Sequence, residues 1–232
     1  MKPRFRSVRE RWHRLAGSET VRIDGVRIDA RAAVVGEAVR RQLLRADYEF
    51  AERRLAAAHL RPSDRVVEIG AGIGLVGLVC ARLAARGAVF SFEANPGLEA
   101  VIRDNYARNA VAPMLDMRAV TPDGGPVTFH VTPSLLSSSI QNRDGGRSVT
   151  VESVAFGAVL REHRPDVIVM DVEGAEIDLL GGSDLPGVRL VVVETHANVT
   201  GRDAVDRMEA HMRASGFERA AGAHRNVVWR RG

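Results

Sequence analysis

Lysine is almost absent from this chain: Lys2 is the single one, and the other 32 of the 33 basic residues are arginine. With alanine and glycine abundant, that skew reflects the base composition of a GC-rich gene more than a nucleic-acid partner, despite a net charge of +4 and a pI near 10.1. Aromatic residues make up 5% of the chain and do not interleave with the arginines, which argues against a base-stacking platform. Cysteine is equally scarce. Cys80 stands alone, so no internal disulfide can form; it suits a reducing compartment and reads as a core residue of a helix. No apolar run reaches the roughly 20 residues of a membrane span. The basic start, Met1 to Arg6, lacks the apolar centre of a secretory signal. These absences predict a cytoplasmic protein with no membrane span and no nucleic-acid partner.

What is present is ordinary in bulk and specific in places. The 232 residues, 45% hydrophobic and 27% charged, suffice for one α/β domain with a sizeable core. Val167-Ile168-Val169-Met170 is a solid apolar run that reads as a buried strand. Asp171-Val172-Glu173-Gly174-Ala175-Glu176 follows it, and then an apolar helix pattern through Ile177, Leu179 and Leu180. Ligands of open α/β sheets bind at the carboxyl ends of the strands. Carboxylates crowded there are costly unless they hold a ligand, a metal or a proton. The competing reading makes Asp171 a helix cap and Glu173 and Glu176 first-turn acids that the helix dipole favours.

Upstream, Arg65 to Ile69 is a short strand running into Gly70-Ala71-Gly72-Ile73-Gly74, then a small apolar helix. Ala88 to Phe92 forms the next strand and ends in Glu93, placed to accept hydrogen bonds from a ribose diol. The unit is a nucleoside-binding half-fold. Its glycines allow two readings. Gly72, Gly74 and Gly77 fit the dinucleotide spacing G-x-G-x-x-G, which would make the chain an NAD-dependent oxidoreductase. Glu68, Gly70, Gly72 and Gly74 fit the acid-x-Gly-x-Gly-x-Gly pattern of S-adenosylmethionine (SAM) methyltransferases. Glu68 favours the second: an acid before the glycines would repel a pyrophosphate and suits a ligand with sulfonium and ammonium charges.

Four segments in order then resemble the FkbM family of SAM-dependent O-methyltransferases. They are Val67 to Gly74, Phe90 to Pro96 with Asn105 to Asn109 behind it, Val169 to Glu176, and Val192 to His196. The string from Asp171 to Glu176 is the most specific. The likeness runs from about Val21 onward. Glu68 stands where the family usually has Asp, and Gly72-Ile73-Gly74 where it has Asn-Ile-Gly. The resemblance implies a single-domain Rossmann-like class I methyltransferase fold: a seven-stranded, mostly parallel sheet with an antiparallel C-terminal strand, in residues 61–232. Residues 1–60 would add a basic arm, a hairpin and helices. It implies Glu68, Gly70, Gly72 and Gly74 around the methionine part of SAM, Glu93, Ala94 and Asn95 at the ribose, and Ala119 and Val120 beside the adenine. Asp171 would stand at the methyl-transfer point, also touching the cofactor, with Glu173, Glu194 and His196 as its catalytic company. His196 is the best candidate base, its ordinary pKa suiting proton abstraction near neutrality. No metal is assigned, although Asp171, Glu173, Glu194 and His196 have the chemistry to hold Mg²⁺. The acceptor would be a hydroxyl of a sugar, a glycosylated intermediate or a secondary metabolite. A non-catalytic SAM-binding domain is a further alternative.

The remaining pattern predicts more of the layout. Val8, Trp12 and Leu15 lie among Arg4, Arg6, Arg9, Arg11 and Arg14, a basic amphipathic helix that would pack through Trp12 and Leu15. Val21 to Ile28 is a hairpin about Asp24-Gly25. Residues 31–60 read as helix. Residues 114–120 and 126–132 read as a second hairpin about Asp123-Gly124-Gly125, and residues 134–147 as a polar loop over the site. Helices follow over 153–163 and 203–215, and an antiparallel pair of strands over 217–220 and 226–230 closes the chain.

Overall fold

The computed structural model describes residues 3–131 and 147–232. The N-terminal part comprises α1 (Pro3–Leu15), the hairpin β1 (Thr20–Ile23) and β2 (Val26–Asp29), then α2 (Ala32–Arg45) and α3 (Phe50–His59). An alternating run follows: β3 (Arg65–Ile69), α4 (Leu75–Leu83), β4 (Ala88–Phe92), α5 (Glu99–Ala107) and β5 (Met114–Asp116). Four short strands come next, β6 (Ala119–Thr121), β7 (Val127–Val131), β8 (Arg147–Val151) and β9 (Ser153–Ala155). The chain continues through α6 (Phe156–His163), β10 (Val167–Met170), α7 (Glu176–Leu180), β11 (Leu190–Glu194), α8 (Ala197–Thr200), α9 (Arg202–Ala214), β12 (Phe217–Ala223) and β13 (Asn226–Arg231).

Seven strands form the central sheet in the order β12-β13-β11-β10-β3-β4-β5. The pairs from β11 to β5 are parallel, and β13 runs antiparallel to both β11 and β12. Strand β10 and the first four residues of β11 are apolar because both faces are covered. Their period of two divides them cleanly. Ile168, Met170, Val191 and Val193 pack with Phe156, Leu179, Met208 and Met212, while Val167, Val169, Leu190 and Val192 pack with Ala56, Val76 and Cys80. Cys80 is thus a core residue, as its position predicts. The hairpin and α2 share one apolar cluster with α4 and α5 through Val21, Ile28, Leu43, Leu78 and Ile102. Asp24 and Gly25 turn the hairpin with φ of 47° and 90°, the left-handed pair that a two-residue turn demands.

Four expectations need correction. Residues 31–60 are not one helix. The chain breaks after Arg45, where Ala46 and Glu49 take φ of 59° and 47°, and the Arg53 guanidinium gathers the Ala46 and Tyr48 carbonyls at 3.0 Å each. The hairpin predicted about Asp123-Gly124-Gly125 does not form. Instead β5 joins the central sheet, β6 pairs in parallel with β9, and β7 pairs antiparallel with β8. Local turn chemistry lost here to tertiary partners, from 16 residues away (Val131 and Arg147) to 34 (Ala119 and Ser153). The helix predicted from Ser153 begins only at Phe156, since 153–155 is the strand that β6 recruits. Finally, Val8, Trp12 and Leu15 are 65, 63 and 81% exposed. Helix α1 docks through Arg9, whose guanidinium donates to the carbonyls of Leu43, Leu44 and Arg22 at 3.0, 2.6 and 3.1 Å. The loop expected over 134–147 lies outside the described residues, apart from Arg147, which opens β8. No helix among the described residues is long and apolar enough to cross a membrane.

Candidate active site

A cavity of about 450 Å³ opens where β3, β4, β10 and β11 end. The glycine loop after β3 forms one side. Gly70 has φ of 88°, and a Cβ there would fall 1.8 Å from the Asp171 carbonyl oxygen, so only glycine lets this loop slide beneath the β10 turn. Gly70 and Ala71 donate their N–H groups to the Phe92 carbonyl, and Gly72 donates to Glu93 Oε2 at 2.8 Å. Glu93 Oε1 accepts from the Asn95 N–H at 2.8 Å. Glu93 therefore staples the loops after β3 and β4 together at the cavity wall, where Gly70, Gly72, Ala94 and Asn95 also lie. Burial pushes its pKa up, and the backbone N–H donors oppose that. Ala119 and Val120, expected near an adenine, line the same cavity.

Two residues of the glycine motif sit elsewhere. Gly74 starts α4 with φ of 82° and packs on the Tyr106 ring, away from the cavity wall. Glu68 is buried beneath the loop, hydrogen bonded to the Ser91 hydroxyl and the Gly77 N–H, and it does not line the cavity. Burial pushes its pKa up to about 8, so it is not the exposed anion that the sequence argument imagined. Gly77 is equally accounted for: a Cβ there would meet Glu68 Oε2 at 2.3 Å.

The other side of the cavity belongs to the turn after β10 and the end of β11. Asp171, Glu173 and Glu194 all reach the wall. Asp171 does not cap a helix. Its Oδ1 is buried and makes no hydrogen bond among the described residues. Burial first, then the Glu194 charge, raise its pKa from 3.8 to about 7. Glu194 is held by Arg225 at 2.7 Å. His196 stands behind these acids, 1% exposed and off the cavity wall. Its Nε2 lies 3.5, 3.7 and 3.8 Å from Asp171, Glu173 and Glu194. Burial works to lower the His196 pKa, and the Glu176 hydrogen bond with the surrounding carboxylates outweighs it, leaving the pKa raised. One ligand atom from each of Asp171, Glu173 and His196 falls within 4.8 Å of the others, close enough to share a cation.

Sequence reasoning read Glu176 as a first-turn acid without its tie to His196, and missed Tyr48 and Glu49. Glu176 is fully buried in the first turn of α7. Its Oε2 accepts from the Gly174 N–H at 2.7 Å, and its Oε1 from the His196 N–H at 2.7 Å with the imidazole Nδ1 at 3.3 Å. That pairing orients the ring and leaves Nε2 toward Asp171. Tyr48 and Glu49, carried by the break between α2 and α3, complete the cavity wall. A trace of that break is legible: the helical spacing of apolar residues lapses between Leu44 and Phe50.

A parallel sheet of this strand order, with one reversed strand inserted and a ligand cavity at the carboxyl ends of its central strands, is the Rossmann-like class I methyltransferase fold. The profile of the methyltransferase FkbM domain matches residues 68–219. The chain belongs to that family. It is 27% identical over 156 residues to the hexuronic acid methyltransferase AglP of Haloferax volcanii, a match covering 65% of this chain and 63% of that protein. The chain thus spans less than two thirds of that relative's length. It is 29% identical over 196 residues to the 31-O-demethyl-FK506 methyltransferase FkbM of Streptomyces tacrolimicus, covering 68% of this chain and 74% of the relative. Among solved structures, PH0793 of Pyrococcus horikoshii shares the fold, with a TM-score of 0.50 at 12% identity over 98% of this chain and 84% of that one.

Proposed function

We propose that this protein is a SAM-dependent O-methyltransferase acting on a hydroxyl of a sugar, a glycosylated intermediate or a secondary metabolite. One observation carries the reading: a single cavity has the glycine loop and Glu93 on one side and the acids Asp171, Glu173 and Glu194 on the other. Such a cavity suits a nucleoside at one end and a proton-yielding acceptor at the other. The family and the two named relatives, one acting on a hexuronic acid and one on an FK506 precursor, support the same class of acceptor.

The residues present fit SAM. Gly72 provides a cradle whose Cβ position already lies 3.2 Å from Tyr48 and Glu49 atoms, and the buried Asp171 Oδ1 makes no hydrogen bond among the described residues. When bound, SAM supplies an electrophilic methyl group on a sulfonium that is a good leaving group. Glu93, Ala94 and Asn95 would hold the ribose, and Gly70 and Gly72 would let the ligand approach the backbone. Asp171, on the wall with a pKa of about 7, is suited to take the acceptor's hydroxyl proton near neutral pH. His196, fixed by Glu176, would act behind Asp171 as a positioning residue and a second proton site. Its lack of contact with the cavity favours Asp171 over His196 as the first proton acceptor.

The test is methyl transfer from labelled SAM to a panel of uronic acids, hexoses and macrolide alcohols. Hydroxyl methylation is the expected product, with a rate loss of about 10²–10⁴-fold in Asp171→Asn and no loss on chelation of divalent metals. Loss on chelation would instead assign Asp171, Glu173 and His196 to a cation. Binding of NAD without SAM or S-adenosylhomocysteine would replace the reading with an oxidoreductase.

A further inference from the structure

The cavity wall carries a buried acid, Glu49, one of whose oxygens makes no hydrogen bond among the described residues. Glu49 lies in the short turn between α2 and α3, with φ of 47°, a left-handed conformation that is strained in a residue with a side chain. Arg53 holds that turn, with its guanidinium engaged by the Tyr48 and Ala46 carbonyls and by Asp24. The result sets Glu49 and Tyr48 over the glycine loop. Glu49 Oε1 and the Tyr48 hydroxyl each lie 3.2 Å from where a Gly72 Cβ would be. The Tyr48 hydroxyl is hydrogen bonded to Glu49, and Glu49 Oε2 is buried with no hydrogen bond among the described residues.

The charges around Glu49 sharpen the point. Asp171 and Glu68 both act to destabilise its anion, and Arg53 is the opposing cation, already engaged with other groups. Glu52, 4% exposed in the first turn of α3, adds a further acid to the same region. A buried acceptor without a donor is a cost to folding. Retaining one at a cavity wall, on a strained backbone, suits a ligand that brings its own cationic N–H donors.

We infer that Glu49, aided by Tyr48, binds the α-ammonium group of the methionine part of SAM, the role that the glycine motif alone would give to Glu68. The inference rests on the SAM reading above. Glu68 is turned to Ser91 and Gly77 beneath the loop, whereas Glu49 faces the cavity directly over Gly72. The N-terminal segment would then be part of the cofactor site, not an appendage to it.

Two nucleosides separate the possibilities by calorimetry on the full chain. S-adenosylhomocysteine carries the ammonium group, and 5′-methylthioadenosine lacks it. Glu49→Gln should weaken S-adenosylhomocysteine by about 10–100-fold, the range for a hydrogen bond to a charged group, and leave methylthioadenosine within about 2-fold. Tyr48→Phe, which removes only the hydroxyl, should give a smaller loss with the same selectivity. Retained methylthioadenosine binding shows that each variant is folded. If wild type binds S-adenosylhomocysteine and Glu49→Gln binds it equally well, this inference falls and the SAM reading stands. An equal loss of both nucleosides also overturns it, because the variant would then have damaged the cavity. If wild type binds neither, the SAM reading fails and takes this inference with it.

Discussion

Asp171 shows how a single side chain can serve a site at the expense of the fold. Its pKa of about 7 in the folded chain, against 3.8 unfolded, means that the folded state holds the proton longer. Ionisation therefore opposes folding as the pH rises from about 4 to 7. Asp171→Asn cannot ionise. It should be more stable than wild type by about 1–3 kcal/mol at pH 8, with the gain vanishing near pH 4, as read by urea unfolding at the two pH values. A difference that ignores pH would contradict this account of the charge. His196, raised above 6.5, acts in the same sense: its stabilising contribution is full below that value and lost as the pH climbs through its folded pKa. Gly70 is a second residue-scale case. Gly70→Ala places a methyl group against the Asp171 carbonyl and demands a left-handed backbone, costing about 1–3 kcal/mol for the φ alone. Its melting temperature should fall well below that of Gly182→Ala, where a Cβ would meet nothing within 4 Å and no positive φ is required.

At the scale of elements, α1 reverses the usual logic of an amphipathic helix. Its apolar stripe faces outward, and charged side chains make the attachment, Arg9 to the Leu43 and Leu44 carbonyls, Arg6 to Asp47 and Glu10 to Arg45. Replacing Trp12 and Leu15 together with Ser should change unfolding free energy by no more than about 0.5 kcal/mol for each residue. Arg9→Ala should release the helix, seen as faster amide exchange over 5–15 with little change in the sheet. Loss of stability on the Trp12 and Leu15 replacement would mean that these residues pack after all. The elements differ in how far sequence foretells them. The unit from β3 to β4 is legible in outline, because an apolar strand, a left-handed glycine and a strand-end acid each have a local physical cause. The cavity wall made by Gly70, Gly72 and Glu93 is legible for the same reason. The break between α2 and α3 is not, since it depends on Arg53 reaching back to two carbonyls. The pairing of β6 with β9 escapes as well, because the partner of a three-residue strand is set by tertiary packing. Glu68 was rightly seen as unusual but its direction was not, as periodicity places a strand residue on a face without saying what fills that face.

For the whole molecule, the cavity draws its walls from the break after α2, the loops after β3 and β4, and the ends of β10 and β11. A ligand there touches segments more than 100 residues apart in sequence, and its binding energy should appear as global stability. S-adenosylhomocysteine at 100 times its dissociation constant should add about 2.7 kcal/mol to unfolding, with the melting curve remaining a single transition. A second, unshifted transition would show that the N-terminal helices melt independently of the cavity.

The reversed strand β13 lies inside the sheet, between β11 and β12, although it follows both in sequence. During synthesis, β11 must therefore wait with one edge unpaired until β13 leaves the ribosome. That edge is Leu190-Val191-Val192-Val193, a short uncharged β-branched run of the kind that seeds aggregation when left open. A nascent chain stalled before Asn226 would expose it to any neighbour with a free strand.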